Sequence, residues 1–238
     1  NKSSRHYPDV ITFAFWCRKS NLDLLEKDRK DNYLRNGVGI VFHVTPSNVP
    51  TNFCYSFAFG LLTGNANIVK VPSINFPQVD IICKEIKKLF NNKRFRKIFK
   101  NNLFVRYKSE ESNITEKYSK ISDGRIMWGS DESIGKLKKI NTKIDTIDVV
   151  FKDKYSFCIL DAKKITLLKK KDLDRLAFDF YNDSYVLDQN ACSSPHLVIW
   201  RGNNKSIDKA KEIFWNKINL SSFSLIVKKL GICLSMNG

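Results

Sequence analysis

The chain has 238 residues, with 41 Lys plus Arg against 24 Asp plus Glu, which gives a formal net charge of +17. Hydrophobic residues make up 42% and charged residues 27%, a balance that excludes a disordered polar tail. With only 10 Gly and 6 Pro, the composition also excludes collagen-like and low-complexity chains. The length suits one large domain or two smaller ones, with enough chain to bury a sizeable core.

The positive charge first suggests nucleic acid or an anionic membrane surface as a partner. The alternative is a lysine-rich composition on an ordinary fold. Most basic residues fall on polar faces of amphipathic segments, and the densest run, Lys163 to Lys171, is interrupted by apolar residues. No RNA-recognition, zinc-finger or basic-zipper signature accompanies them, and no apolar run is long enough to span a membrane. We therefore expect neither a nucleic-acid partner nor a membrane span.

Predicted strands and helices alternate along the first 150 residues. Short apolar runs between turn residues indicate buried strands, and apolar positions at helical spacing indicate helices. The prediction in chain order is helix 9–30, strand 38–44, helix 53–62, strand 68–71, helix 79–90, strand 103–105, helix 111–121, strand 125–128 and helix 132–139. This alternation predicts βαβ units on a parallel sheet.

The pattern changes near residue 150, where we place a domain boundary. Beyond it the sequence predicts strand 155–160, helix 172–185, a polar turn, strand 197–200 and helix 207–218. The predicted domains are therefore 1–150 and 151–238.

The six cysteines include no C-x-x-C pair, and only 3 His accompany them, so a zinc site is not expected. Their wide spacing suggests reduced thiols in a cytoplasmic protein. Four lie in apolar surroundings and are expected to be buried: Cys17, Cys54, Cys83 and Cys158. Cys192 lies instead in the polar, turn-prone stretch Asp188 to Pro195. A thiol near such a turn or a helix start can be exposed and partly ionised, so Cys192 is the candidate nucleophile.

Ligands of parallel sheets bind at the carboxyl ends of the strands. Here those ends are Thr45 to Asn48, Lys70 to Ser73, and Gly129 with Ser130. All three segments carry small or polar groups suited to phosphate or ribose. No G-x-G-x-x-G motif is present, so an ordinary Rossmann fingerprint is absent.

Five segments, in order, resemble motifs of the aldehyde dehydrogenase superfamily. Pro46 to Pro50 resembles its P-W-N-x-P loop, and Thr63 to Asn65 resembles its T-G-N turn. Lys70 to Ser73 resembles its K-x-x-E/S segment, and Trp128 to Ser130 resembles its F-T-G-S motif. Asp188 to Cys192 stands where its catalytic cysteine loop is expected.

Within that superfamily the sequence is most similar to the acyl-CoA reductases of bacterial bioluminescence. The sequence motifs on which this resemblance rests are T-P-S-N-V-P, F-G-L-L-x-G-N, N-I-V-K-V-P-S and D-Q-N-A-C-S-S-P. The resemblance implies an aldehyde-dehydrogenase-like α/β fold. Residues 1–150 would form a Rossmann-type parallel-sheet domain for NADP(H), and residues 151–238 part of an α/β catalytic domain. We expect the chain to be a partial sequence, because the family continues well beyond the cysteine.

The resemblance implies a catalytic role for two residues. Cys192 would take the acyl group as a thioester. The Cys192 backbone N–H and the Asn48 side-chain amide would form an oxyanion hole. From the residues alone, Asn48 could equally cap its own loop beside Pro50. His196 could act as a base near Cys192, but it precedes a strand and the family does not use this position, so a structural role is favoured.

The resemblance also implies a set of cofactor-binding residues. These are Thr45, Pro46, Lys70, Ser73, Gly129 and Ser130. Lys70 would bond the adenosine ribose, although it could be a solvated lysine at a strand end. Many NAD-specific relatives carry Glu where this chain has Ser73, and a carboxylate there would repel a 2′-phosphate, so Ser73 favours NADPH. Gly129 and Ser130 would lie near the pyrophosphate, or form a plain turn before a helix.

One departure concerns the E-L-G-G-K motif, whose Glu activates water in hydrolytic aldehyde dehydrogenases. The corresponding stretch, residues 147–154, has no Glu, although Asp148 or Asp153 could substitute. The loss fits a reductase that does not hydrolyse its acyl-enzyme.

The expected function is NADPH-dependent reduction of a fatty acyl-CoA, or of an acyl group delivered by an acyl-protein synthetase partner, to an aldehyde. We expect an oligomer in the full-length form. Two alternatives stay open: an NAD-linked CoA-acylating aldehyde dehydrogenase, and a non-catalytic basic binding module on this scaffold.

Overall fold

The computed structural model describes the backbone of residues 2–27, 35–185, 189 and 191–230, and their side chains except at 2, 3 and 220–230. The chain divides into two compact units between Asp153 and Lys154. No helix in the described part of the chain is long and apolar enough to cross a membrane.

The first unit alternates strands and helices from residue 40 onward, after two N-terminal helices. Its helices are α1 Pro8–Trp16, α2 Lys19–Lys27, α3 Asn52–Leu62, α4 Pro77–Phe90, α5 Arg96–Lys100, α6 Ser112–Ile121 and α7 Asp131–Lys138, with short 3-10 turns at Lys2–His6 and Lys93–Phe95. Its strands are β1 Ile40–Val44, β2 Ala66–Lys70, β3 Asn102–Val105, β4 Gly124–Gly129 and β5 Ile147–Lys152.

The five strands form one sheet in the order β3-β2-β1-β4-β5. Every neighbouring pair is parallel, with β1 paired to β2 from Ile40 and to β4 from Val41. This confirms the predicted α/β fold with a parallel sheet. The chain winds in one direction from β1 to β3 and then returns to β4 on the other side of β1. The carboxyl ends of β1 and β4 therefore frame a crevice, the position where open α/β sheets bind their ligands.

Both faces of the sheet are packed around β1 and β2. On one face α3 and α4 cover a core that includes Phe53, Val69 and Val79, all with no exposed side chain. On the other face Phe42 and Ile68 pack with Tyr107 and residues of α6 and α7. Burial on both faces is typical of parallel sheets, and it fixes the positions of the loops that follow the strands.

The second unit pairs a two-stranded parallel sheet with three helices. Its elements are β6 Ser156–Asp161, α8 Ala162–Leu167, α9 Lys170–Tyr185, β7 Pro195–Arg201 and α10 Asn204–Leu230. Phe214 is fully buried at the centre of the core. Its ring makes edge contacts with Phe180, Trp200 and Trp215.

The structure corrects three expectations. The helix predicted over 9–30 is two helices, which end and restart around Cys17, and residues 28–30 lie outside the described residues. Cys17 is exposed rather than buried, because it follows the last turn of α1. Strand β5 was not predicted; its alternate residues Ile147, Val149 and Phe151 stay 54%, 44% and 42% exposed at the sheet edge.

Candidate active site

A cavity of about 680 Å³ lies at the carboxyl edge of the first unit's sheet, beyond the ends of β1 and β4. Cavities of roughly 300–1,000 Å³ typically hold small molecules and cofactors. Its wall is built from the loop after β1, the end of β2, the start of α6, and α7. It contains six of the predicted site residues: Thr45, Pro46, Asn48, Lys70, Gly129 and Ser130.

The loops after β1 and β2 are held together by hydroxyl groups. Thr45 is buried, and its Oγ1 donates to the carbonyl oxygen of Lys70 at 2.7 Å. Further along both loops, the Oγ atoms of Ser47 and Ser73 lie 3.3 Å apart. Ser73 therefore contacts the cavity wall through Ser47, which lines the cavity. Asn48 is exposed at the wall, so its amide is accessible to a ligand.

Lys70 is a buried cation in the cavity wall. Its side chain is only 7% exposed, and its Nζ lies 4.6 Å above the ring of Tyr107, a cation–π contact. Burial lowers the pKa of Lys70, while the nearby carboxylates of Glu110 and Glu111 act in the opposite direction. Among the described residues no carboxylate lies within ion-pair distance of Nζ. A solvated lysine is therefore the wrong interpretation, and an anionic or hydroxyl-rich ligand would satisfy this ammonium.

Gly129 and Ser130 form the turn from β4 into α7. Gly129 has φ +155°, a conformation that a residue with a Cβ rarely adopts. Its carbonyl oxygen accepts from the N–H of Asp153 at 3.1 Å, which brings the end of β5 to the cavity. Ser130 caps α7, its Oγ accepting from Ser133 N at 3.3 Å. The turn thus places the start of α7 beside the cavity, where the helix dipole favours anions. The two carboxylates of the first turn, Asp131 and Glu132, are paired with Lys152 and Lys136.

The two carboxylates considered as substitutes for a water-activating Glu differ in their surroundings. Asp148 accepts from Nε and Nη2 of Arg125 at 2.8 and 2.7 Å. Arg125 is only 3% exposed, and it also donates to the carbonyl oxygen of Leu137. A carboxylate held by a bidentate pair is not available to take a proton from water, so Asp148 is excluded. Asp153 lies at the cavity wall.

Sequence reasoning missed a buried histidine below the cavity. His43, the fourth residue of β1, has no exposed surface, and its ring nitrogens lie 2.8 Å from Ser56 Oγ and 2.9 Å from Asn67 Oδ1. Burial lowers the pKa of His43 to about 4. The only available signal was a lone His in an otherwise apolar strand, and that pattern does not reveal its partners.

Cys192 lies on an exposed turn in the second unit, between α9 and β7. Its carbonyl oxygen accepts from Ser156 Oγ at 2.6 Å. Ser194 Oγ donates to the carbonyl oxygen of Asp183 at 2.6 Å, which links the turn to α9. The turn leads into strand β7, so the alternative prediction of a helix start at Cys192 is wrong. Asp188 and Asn190, which belong to the predicted cysteine loop, lie outside the described residues.

The other described thiols differ from Cys192. Cys54 is buried and donates to the carbonyl oxygen of Thr51, and burial raises its pKa. Burial likewise raises the pKa of Cys83 and Cys158, which are partly covered, and that of Cys17, although Cys17 is exposed. His196 is exposed within β7, and its ring stacks on Tyr155 at 5.4 Å. No cluster of His, Cys, Asp and Glu in the described part of the chain could hold a metal ion.

Solved structures place this fold among the aldehyde dehydrogenases. One is AldH of Staphylococcus aureus, 12% identical with a TM-score of 0.55, matched over 79% of this chain and 36% of that one. Another is betaine aldehyde dehydrogenase of S. aureus in complex with NAD⁺, 17% identical with a TM-score of 0.57, over 77% of this chain and 34% of that one. A third is glyceraldehyde-3-phosphate dehydrogenase GapN of Methanocaldococcus jannaschii complexed with NADP, 17% identical with a TM-score of 0.60, over 83% of this chain and 43% of that one. This chain therefore spans less than half of their length.

The sequence defines the family more narrowly. The acyl-CoA reductase (LuxC) family matches residues 10–221, so the chain belongs to that family. A search of curated proteins found no match. The predicted family resemblance is thus confirmed, while the roles of individual residues stay predictions.

Proposed function

We propose that this chain is the cofactor-binding part and the nucleophile-bearing part of an NADPH-dependent reductase that converts a fatty acyl thioester to an aldehyde. The observation that carries the proposal is the cavity at the β1–β4 crevice, because it gathers six predicted site residues from three separate segments. Family membership supports an acyl-CoA substrate.

The residues that line the cavity suit a dinucleotide chemically. The buried ammonium of Lys70 lacks an ion-pair partner among the described residues and can bond ribose hydroxyls or a phosphate. Gly129 lets the backbone approach a pyrophosphate closely, and the capped start of α7 favours negative charge beside it. When bound, a reduced nicotinamide cofactor supplies hydride.

The preference for NADPH rests on the ribose end of the cavity. Ser73 is neutral, and its hydroxyl bonds with Ser47 rather than with a charged group. A 2′-phosphate near Ser73 would meet the Lys70 ammonium and no carboxylate from the loop after β2. The expected result is tighter binding of NADPH than of NADH.

One observation favours the NAD-linked alternative. Glu110, in the loop before α6, also lines the cavity, and it raises the pKa of Lys70 against the effect of burial. A carboxylate there could accept ribose hydroxyls and repel a 2′-phosphate, as Glu does in NAD-specific enzymes. If Glu110→Gln strengthens NADPH binding and weakens NADH binding, Glu110 occupies that role and the alternative gains support.

Acyl transfer would take place at Cys192. Its thiolate Sγ attacks the thioester carbon, a new C–S bond forms, and the departing CoA or carrier thiolate takes up a proton. The Cys192 backbone N–H and the Asn48 side-chain amide would stabilise the oxyanion; each such donor contributes about 2.7–4 kcal/mol. Addition of hydride to the acyl carbon then breaks the C–Sγ bond, which releases the aldehyde and regenerates the Cys192 thiolate.

Residues 147–154, where hydrolytic relatives would carry a water-activating Glu, offer at most one unoccupied carboxylate. Asp148 is occupied by Arg125, and the stretch 147–154 contains no Glu. Asp153, at the cavity wall, is the remaining carboxylate of this stretch. We therefore expect aldehyde, and little free fatty acid, as the product when reductant is present.

A direct assay tests the proposal. The protein, extended to its complete reading frame, is incubated with a long-chain acyl-CoA and NADPH, and aldehyde is trapped as a hydrazone while absorbance at 340 nm reports NADPH consumption. Equal amounts of aldehyde formed and NADPH consumed, with slower turnover on NADH, support the proposal. Dinucleotide binding without any aldehyde contradicts it. Salt-sensitive DNA binding without dinucleotide binding would favour the basic binding module instead.

A further inference from the structure

A buried hydrogen-bond chain leads from the cavity wall into the sheet. The indole Nε1–H of Trp128, which lines the cavity, donates to Ser56 Oγ at 3.3 Å. The same Oγ lies 2.8 Å from His43 Nδ1, and His43 Nε2 lies 2.9 Å from Asn67 Oδ1. Ser56 and Asn67 are 3% and 1% exposed, and His43 has no exposed surface. The hydrogen-bond chain therefore runs through the buried interior of the first unit.

The direction of every bond in this chain follows from its chemistry. Asn67 Nδ2 already donates to the carbonyl oxygen of Asn65 and to Asn102 Oδ1, so Asn67 Oδ1 must accept. His43 Nε2 therefore carries the ring proton, and Nδ1 accepts from the Ser56 hydroxyl. Ser56 Oγ in turn accepts from Trp128. Only a neutral imidazole fits this order, in agreement with the lowered pKa of His43.

The buried hydrogen-bond network fixes side-chain geometry rather than adding stability. Apolar residues of similar shape could replace buried polar groups without loss of stability, whereas a complete network fixes side chains in one geometry. Helix α3 also approaches closely here, because a Cβ at Gly60 would collide with Asn67 Oδ1 and His43 Nε2. The packing thus specifies this network and not merely a filled core.

Trp128 is the member of the network at the cavity wall. Its ring stacks on Phe151 with centroids 3.9 Å apart and planes 11° apart. The stack fixes the plane of the indole, and the bond to Ser56 fixes its rotation within that plane. Trp128 directly precedes the Gly129–Ser130 turn, so its orientation sets the wall beside the pyrophosphate position.

We propose that Ser56 and His43 are positioning residues that hold Trp128 in one orientation and thereby shape the cavity wall against which the cofactor lies. The inference rests on the proposed function, since it assigns this wall to dinucleotide binding.

The test combines a spectroscopic signature with binding. When this chain contains 5-fluorotryptophan, it gives four ¹⁹F signals, from Trp16, Trp128, Trp200 and Trp215. The signal that disappears in Trp128→Phe is that of Trp128. We expect Ser56→Ala to shift the Trp128 signal alone and to raise the Kd for NADPH ~5–10-fold, the effect of one lost hydrogen bond. His43→Gln keeps a donor and an acceptor and should retain the wild-type signal and Kd. Ser122→Ala is the matched control, a fully buried serine that donates to the carbonyl oxygen of Tyr118 outside the network.

Several outcomes would overturn the inference. Wild-type Kd in Ser56→Ala, or an equal loss of affinity in Ser122→Ala, removes the positioning role. If Ser56→Ala does not fold, Trp128→Phe is measured in its place, because the Ser56–His43 hydrogen bond is kept in that variant. An unchanged Kd for NADPH in Trp128→Phe overturns the inference as well. If the wild type binds no dinucleotide, the proposed function fails and the inference fails with it, whereas a loss confined to Ser56→Ala leaves the proposed function standing.

Discussion

The cofactor cavity and the Cys192 turn are positioned by different means. The cavity residues follow parallel strands whose sheet is buried on both faces, and the loops are linked by buried bonds such as that from Thr45 to Lys70. The Cys192 turn is exposed, and the hydroxyls of Ser156 and Ser194 bond backbone carbonyl oxygens there. Changes at the cavity should therefore alter cofactor binding, while changes at the exposed Cys192 side chain should alter the chemistry alone.

The largest expected effect is at Cys192. Cys192→Ser should lower aldehyde formation by at least ~10³-fold, because the nucleophile is lost. The Kd for NADPH and the melting temperature should stay at wild-type values, since the side chain is exposed. Steady-state assays, fluorescence titration and calorimetry measure these three quantities. Cys17→Ser, which changes an exposed thiol of the first unit, is the control and should be neutral.

The second effect concerns stability in acid. The folded-state pKa of His43 is about 4, below its ordinary value of 6.5. The unfolded chain therefore binds a proton that the folded chain does not, and stability falls as the pH drops from 6.5 towards 4. The full shift corresponds to about 3 kcal/mol of unfolding free energy.

Denaturant titrations between pH 7 and 4 measure this loss. The glutamine of His43→Gln does not titrate. Between pH 6.5 and 4 the unfolding free energy of this variant should therefore fall by about 3 kcal/mol less than that of the wild type. An equal slope in the two proteins would mean that His43 is not the group responsible.

The third effect separates binding from chemistry. Lys70→Met should weaken NADPH binding ~10–100-fold, the usual contribution of a charge-assisted hydrogen bond. The melting temperature should not fall, because the substitution removes a buried charge that has no ion-pair partner among the described residues. Acylation of Cys192, measured without cofactor, should be unaffected. Unchanged NADPH affinity would place the cofactor elsewhere.

The smallest effect is one of selectivity. Ser73→Glu should shift the ratio of NADPH to NADH affinity ~10-fold towards NADH, through repulsion of the 2′-phosphate. Ser73→Ala is the matched control and should leave the ratio almost unchanged. A ratio unaffected by Glu would show that the ribose end does not lie near this loop.

The sequence was informative where local pattern and motif agree. Apolar runs such as 38–44 predicted buried strands, and the polar segments after them predicted the edge at which the cavity lies. Thr45 and Lys70 could be selected because their positions at strand ends are visible without coordinates. The Cys192 turn could be selected because small polar residues surround the cysteine.

Long-range partners could not be predicted. The pairs Arg125 with Asp148 and His43 with Asn67 join different strands, and nothing local to either residue identifies its partner. Strand β5 was missed because its sequence, I-D-V-V-F-K, mixes charged and apolar residues, as an edge strand can, and lacks the continuous apolar run of the buried strands. The position of Lys70 at a strand end was visible in the sequence, but its burial against Tyr107 was not, because Tyr107 lies beyond the end of another strand.

The most direct test of the account is the location of the acyl group. The protein is mixed with acyl-CoA in the absence of reductant, and peptides are mapped by tandem mass spectrometry before and after hydroxylamine. The account predicts one hydroxylamine-labile acyl group on Cys192, which disappears when NADPH is added and is absent from Cys192→Ala. Equal acylation of Cys192→Ala, or an acyl group on Cys17 in place of Cys192, would contradict it.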